Sequence, residues 1–268
     1  MRPPAVAGRF YPADAQELEA MVRGFLADVP AVRLAVPGVM VPHAGLVYSG
    51  ACMAQVFGRL AWPETVVILA PNHTGRGIPG KASLWDAGAF RTPLGDVPVA
   101  ERFAAALAER CPLVARDRAA HRFEHAIEVV LPFVQVLAPG AALVPLVLAW
   151  DDWGRCADLA RALAELVQQW NPVLLAASSD MTHHESAWSA AWKDRLALTC
   201  LERLDGEGLL AACHREHITM CGRAPAATVA HAARLLGAIG ATVVDYRNSG
   251  LVTGDEESVV GYAGVVMA

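Results

Sequence analysis

Val66-Val-Ile-Leu-Ala-Pro-Asn-His73 begins with five apolar residues and closes on a proline and two polar side chains. A run this short and this rich in Val, Ile and Leu predicts a strand buried on both faces, as in parallel sheets, rather than a helix. Similar runs occupy residues 37–41, 142–149, 172–177, 241–246 and 258–267. Between them, helical apolar spacing marks residues 14–26, 50–60, 99–110, 124–137, 152–170, 186–204 and 224–236. Asp152 is placed to cap one of these helices and Gly237 to end another. The alternation predicts an α/β domain whose mostly parallel sheet is covered on both faces. No repeat, low-complexity tract or shift in composition interrupts residues 1–268, so one domain is expected.

Composition narrows the function classes. Hydrophobic residues make up 54% and charged residues 18% of the 268, which calls for a large core. The formal net charge of −5 is spread without a basic stripe, so a nucleic-acid partner is not expected. The longest apolar stretch, Ala141 to Trp150, is about half the ~20 residues that a membrane-spanning helix needs. Met1-Arg-Pro-Pro-Ala-Val-Ala-Gly8 lacks the layout of a signal peptide, which makes the cytoplasm the expected compartment. The six scattered cysteines form no C-x-x-C pair and are read as reduced thiols.

Three strand-like runs end in polar clusters: Val39-Met-Val-Pro-His43, the stretch ending at His73, and Leu174-Leu-Ala-Ala-Ser-Ser-Asp180-Met-Thr-His183-His184. Ligands of open α/β sheets bind beyond the carboxyl ends of the strands, so these clusters share one crevice if the strands are parallel neighbours. Histidine is the commonest metal ligand and the usual acid or base near neutral pH, and a carboxylate such as Asp180 can orient an imidazole or ligate a metal. The spacing therefore predicts metal-assisted or acid/base chemistry. Cys221 precedes the helix that Pro225 helps to start and stands beside Arg223, a setting that favours a thiolate suited to metal binding or nucleophilic attack. A cysteine hydrolase built from Cys221, His183 and Asp180 is one consequence of that reading.

His121-Arg-Phe-Glu124-His125 spells the inverted zinc-peptidase signature. It runs into the apolar segment Ile127-Glu128-Val-Val-Leu131-Pro132-Phe133, where a core helix is expected, and no further zinc ligand stands nearby. His121 is accordingly not expected to bind metal, while Glu124 and His125 are placed at the edge of the crevice, behind the ligands.

Arg2-Pro-Pro-Ala-Val-Ala-Gly8-Arg-Phe-Tyr11-Pro12, Pro42-His43-Ala-Gly45-Leu-Val-Tyr48-Ser-Gly50, Pro71-Asn-His73-Thr-Gly75, Glu124-His125-Ala-Ile-Glu128-Val-Val-Leu-Pro132-Phe133, Ser178-Ser-Asp180-Met-Thr-His183 and Cys221-Gly222-Arg-Ala-Pro225 follow one another along nearly the whole chain. Together they resemble the successive blocks of the MEMO family, whose bacterial and archaeal members are called AmmeMemoRadiSam system protein B. The resemblance implies a three-layer αβα sandwich with a mostly parallel or mixed sheet, similar to the catalytic subunit of class III extradiol dioxygenases. It implies metal ligands at His43, His73 and Cys221, with Asp180 and His183 lining the pocket as catalytic groups. Iron(II) or copper is the implied metal, with zinc a third option. Where extradiol dioxygenases have a carboxylate ligand this sequence offers Cys221, and a thiolate makes a softer site, suited to Cu(I) or to tuning an iron potential. The implied function is a metal-dependent, dioxygenase-like oxidoreductase acting on a small molecule. The alternative is a non-catalytic metal- or partner-binding component beside an AMMECR-type protein and a radical SAM enzyme.

Overall fold

The computed structural model describes residues 1–30, 32–170 and 172–268. Its strands are β1 (Gly38–Val41), β2 (Thr65–Pro71), β3 (Ala82–Leu84), β4 (Ala89–Thr92), β5 (Gly95–Pro98), β6 (Val114–Arg116), β7 (Ala142–Leu148), β8 (Val173–Ser178), β9 (His183–Glu185), β10 (Ala241–Asn248) and β11 (Val259–Met267). Its helices are α1 (Ala15–Leu26), α2 (Leu46–Phe57), α3 (Glu101–Arg110), α4 (Leu131–Leu137), α5 (Trp153–Trp170), α6 (Ala187–Glu202), α7 (Gly206–Arg215), α8 (Arg223–Leu235) and the single turn α9 (Gly250–Thr253).

Every residue of β1 and β8 is buried, and β2 and β7 are buried from their second residue onward, which is what their unbroken apolar sequences require. The main sheet runs β10-β11-β1-β8-β2-β7-β3-β6, with β9 added on β11, while β4 and β5 form a separate hairpin. At its centre β1, β8, β2 and β7 are all parallel. The flanks are not: β11 is antiparallel to β1 and to β10, and β3 is antiparallel to β7. The sheet is therefore mixed. No helix long enough to make a crossover lies between β10 and β11, so the chain returns antiparallel.

Helices cover both faces. On one, α8 lies across β1, β2 and β8 with α5 packed against it; on the other, α2 covers β1, β10 and β11 and carries α1 and α4. Buried alanines of α8, including Ala226, Ala227, Ala230 and Ala233, are small enough to let the helix lie close to the strands. All six cysteines are free thiols. Among the described residues, no helix is long and apolar enough to cross a membrane.

Two helix expectations change. The helix expected from 50 begins at Leu46, directly after Gly45. The one expected over 124–137 begins only with a 3-10 turn at Glu128–Val130 before α4, because residues 121–127 form turns held by side chains rather than by helical hydrogen bonds. Helix α7 is absent from the sequence reading, since two glycines in its first turn hide its period.

Candidate metal centre

Because β1, β8 and β2 are parallel neighbours, their carboxyl ends deliver His43, Asp180 and His73 to one edge of the sheet. The segment before α4 adds His125. One imidazole nitrogen from each of His43, His73 and His125 lies within 4.8 Å of the other two, the arrangement of a metal-binding group. The His73 and His125 rings stack with centroids 4.7 Å apart, and the His43 ring meets both edge-on at 5.2 and 5.5 Å.

The hydrogen bonds fix which nitrogens face the centre. The Ser178 hydroxyl donates its one proton to the Ala126 carbonyl at 2.6 Å, so its oxygen accepts from His43 Nδ1–H at 2.7 Å. His43 Nε2 is then the lone-pair nitrogen. Glu124 Oε1 accepts from His73 Nδ1–H at 2.9 Å, and Oε2 accepts from the His73 backbone N–H at 2.6 Å, which turns Nε2 toward the centre. Burial disfavours a charge on His73, but the hydrogen bond and charge of Glu124 outweigh it and raise the pKa, so a cation on Nε2 takes the place of a proton. A carboxylate behind a histidine is the usual device for holding a ligand imidazole in its binding tautomer. Burial, and then the neighbouring His73, lower the pKa of His43 to about 3. Burial, and then His43, lower that of His125 to about 4. Both rings are thus neutral at pH 7, with lone pairs available to a cation.

Cys221 stands at the margin of this group, its Sγ 3.3 Å from His43 Nε2. Gly222 makes that approach possible: a Cβ there would lie 2.4 Å from the Ser178 carbonyl oxygen, so only glycine lets the chain pass over the end of β8. The expected thiolate is not found. Burial, and then the charge of Asp180, push the thiol pKa up, and Arg223 is engaged by Asp151, its Nε 3.0 Å from Oδ2. The Cys221 Sγ meets His43 Nε2 at 3.3 Å and the Asp180 carbonyl at 3.6 Å, and neither is the His183 imidazole that a cysteine hydrolase needs.

Asp180 is buried and accepts at Oδ1 from the backbone N–H groups of His43 and Ala44, at 2.7 and 3.2 Å, so it holds the His43 turn in place. His183 is half-buried and its ring is oriented by Thr219, whose carbonyl accepts from Nδ1 at 3.1 Å. His121 points away from the centre into a pocket of Trp85 and Phe90, with Nε2 2.9 Å from the Ser83 carbonyl. Of the peptidase signature, His125 stands in the group of three imidazoles and Glu124 behind His73, while His121 is in no such group among the described residues. Beside Cys221 opens a cavity of about 750 Å³, bordered by Asn72, Arg76, Trp150, Asp151 and Arg223.

A family model described as Memo-like protein matches residues 2–266. The chain belongs to the Memo family. It is 39% identical to a MEMO1 family protein of Methanopyrus kandleri, with 99% of this chain and 98% of the relative aligned. Identity is 38% with a MEMO1 family protein of Aquifex aeolicus, over 99% and 98% of the two chains. A third Memo relative, from Methanosarcina acetivorans, is 34% identical over 100% of this chain and 99% of its own.

The residues of this Memo chain fit a transition metal. Imidazole suits iron, copper and zinc alike, and a thiol at the margin adds a soft donor. Cys221 Sγ reaches His43 Nε2 at 3.3 Å but is not one of the donor atoms that lie within 4.8 Å of one another. The sequence places His125 behind the expected ligands; its ring lies in the group of three imidazoles with His43 and His73. Pro132, in the first turn of α4, was the available signal: proline favours a helix start, which leaves His125 on the preceding turn and free to face the crevice.

Proposed function

We propose that this Memo protein holds iron(II) or copper between His43, His73 and His125, with Cys221 as a soft fourth donor, and supports a dioxygenase-like oxidation of a small molecule. The observation that carries the reading is the pair of oriented rings: Ser178 and Glu124 engage both Nδ1 atoms, which leaves Nε2 of each ring for one centre that a third imidazole completes. When bound, iron or copper supplies the electron-transfer chemistry that side chains lack.

The chain's own residues do the rest. His183, with Nδ1–H donated to Thr219, keeps Nε2 free to take or return a substrate proton. Asp180 holds the His43 turn. Zinc fits the same nitrogen donors and is the competing occupant. The AMMECR-type protein and the radical SAM enzyme are proposed as partners on the family resemblance.

Protein purified without oxygen is the material for the test. Elemental analysis should find about one iron or copper per chain, and the Fe(II)-loaded protein should take up oxygen with candidate catechols. His183→Ala should retain the metal and lose the uptake. Equal metal loss in His183→Ala would make His183 a ligand. Inactive metal-loaded protein that binds a radical SAM partner tightly would favour the non-catalytic alternative.

A further inference from the structure

Arg2 is fully buried, and its guanidinium is spent on the segment that carries His125. Nε donates to the His121 carbonyl at 3.0 Å, one Nη to the Glu124 carbonyl and the other to the Glu128 carboxylate. In a continuous helix the first two carbonyls would accept from the backbone N–H groups of His125 and Glu128. Arg2 therefore takes the place of two helical hydrogen bonds, and this accounts for the late start of the helix and the turn at 121–127.

The rest of the N-terminal arm closes around the same point. Glu128 accepts from the backbone N–H groups of Ala5 and Val6, at 2.8 and 3.0 Å, and from the Tyr11 hydroxyl at 2.5 Å. The Phe10 ring lies 4.8 Å from the His125 ring, on which His73 also stacks. The Phe10 carbonyl accepts from Leu46 N–H at 2.7 Å, where α2 begins three residues after His43. One arm thus bears on two of the three imidazoles.

We infer that Arg2 and Phe10 are positioning residues of the metal centre, holding His125 in the turn where its ring faces His43 and His73. The inference rests on the metal reading proposed above and adds to it a part of the chain more than 110 residues away in sequence from the histidine it places. Without the three-way fork, residues 121–128 are free to wind into the helix their sequence favours, and that carries the His125 ring away from its partners.

The test uses Co(II) alone as probe, titrated by calorimetry and followed by its visible absorption, at a temperature where every variant is folded. Arg2→Lys keeps a charge for Glu128 but cannot bridge both carbonyls as well. It should weaken Co(II) binding about tenfold, the lower end of the range for residues behind metal ligands, and alter the absorption bands. Phe103→Leu, on the buried face of α3, is the control for lost stability and should leave affinity and spectrum as in the parent. Phe10→Leu, which keeps the carbonyl bond to Leu46, should shift affinity in the same direction as Arg2→Lys and serves if that variant does not fold. Parent-like affinity and spectrum in the Arg2 or Phe10 variants overturn the inference, as does an equal loss in Phe103→Leu. A parent protein that takes up no Co(II) instead overturns the metal reading, and the positioning role falls with it.

Discussion

Glu124→Gln replaces one carboxylate oxygen by an NH2 group at a point where three N–H donors converge. Oε1 accepts from His73 Nδ1–H at 2.9 Å and from Ala126 N–H at 3.0 Å, and Oε2 accepts from His73 N–H at 2.6 Å. Burial alone would raise the Glu124 pKa; the hydrogen bond from His73, its charge and the Ala126 N–H outweigh burial and bring it down from the ordinary 4.5 to about 2. At about 1.4 kcal/mol per unit, that depression corresponds to roughly 3 kcal/mol of preference for the ionised form in the folded state. A glutamine amide either opposes the His73 backbone N–H with its own donor or, flipped, faces Nδ1 and forces the proton onto Nε2. The first leaves a buried donor unpaired at about 1–3 kcal/mol. The second removes the lone pair that the centre needs. We expect the metal-free variant to lose about 3 kcal/mol in urea unfolding, and its metal affinity to fall by roughly 10–100-fold in calorimetric titration. The carboxylate's folded pKa lies below its unfolded one, so its contribution is complete above about pH 4.5 and disappears as the pH falls through about 2; the variant should lack this part of the acid profile. A loss under about 1 kcal/mol together with parent-like metal affinity would refute the argument that Glu124 sets the His73 tautomer.

Acid should weaken the metal-free protein well above the carboxylate range. His43, His121 and His125 are held neutral, with folded pKa values lowered to about 3, 4 and 4 from 6.5, so the unfolded chain binds up to three more protons as the pH falls below 6.5. Stability should drop by as much as about 4 kcal/mol per pH unit near pH 5, and a Tm unchanged between pH 7 and 5 would contradict this. Gly222→Ala, whose Cβ would sit 2.4 Å from the Ser178 carbonyl oxygen, should cost about 1–3 kcal/mol in denaturant unfolding and displace Cys221. With Co(II) bound, that displacement should remove the sulfur-to-metal absorption band, and an intact band would show that the close approach is not what places the thiol.

The central strands were legible because an interior strand of a doubly covered sheet must be largely apolar, and β1, β2 and β8 are, apart from Thr65 at the start of β2 and Ser178 at the end of β8. Their polar termini, His43, His73 and Asp180, followed from the same pattern, since a parallel sheet gathers its strand ends along one edge. Strands β3, β6 and β9 have three residues each, too few to show a period. Residues 121–127 were hidden for a different reason. Their helical spacing is genuine, and it is overruled by a guanidinium 119 positions away in sequence from His121. Local pattern carries no trace of such a partner. The Cys221 thiol was misjudged likewise: Arg223 stands two residues from it, but Asp151, 72 residues from Arg223, claims that charge.

X-ray absorption at the metal edge of the iron- or copper-loaded protein tests the central claim most directly. The account predicts one ion per chain, imidazole scattering from three histidines with nitrogens at about 2.0–2.1 Å, and one sulfur at about 2.3 Å from Cys221. No stoichiometric metal, or a metal shell without histidine scattering, would contradict it.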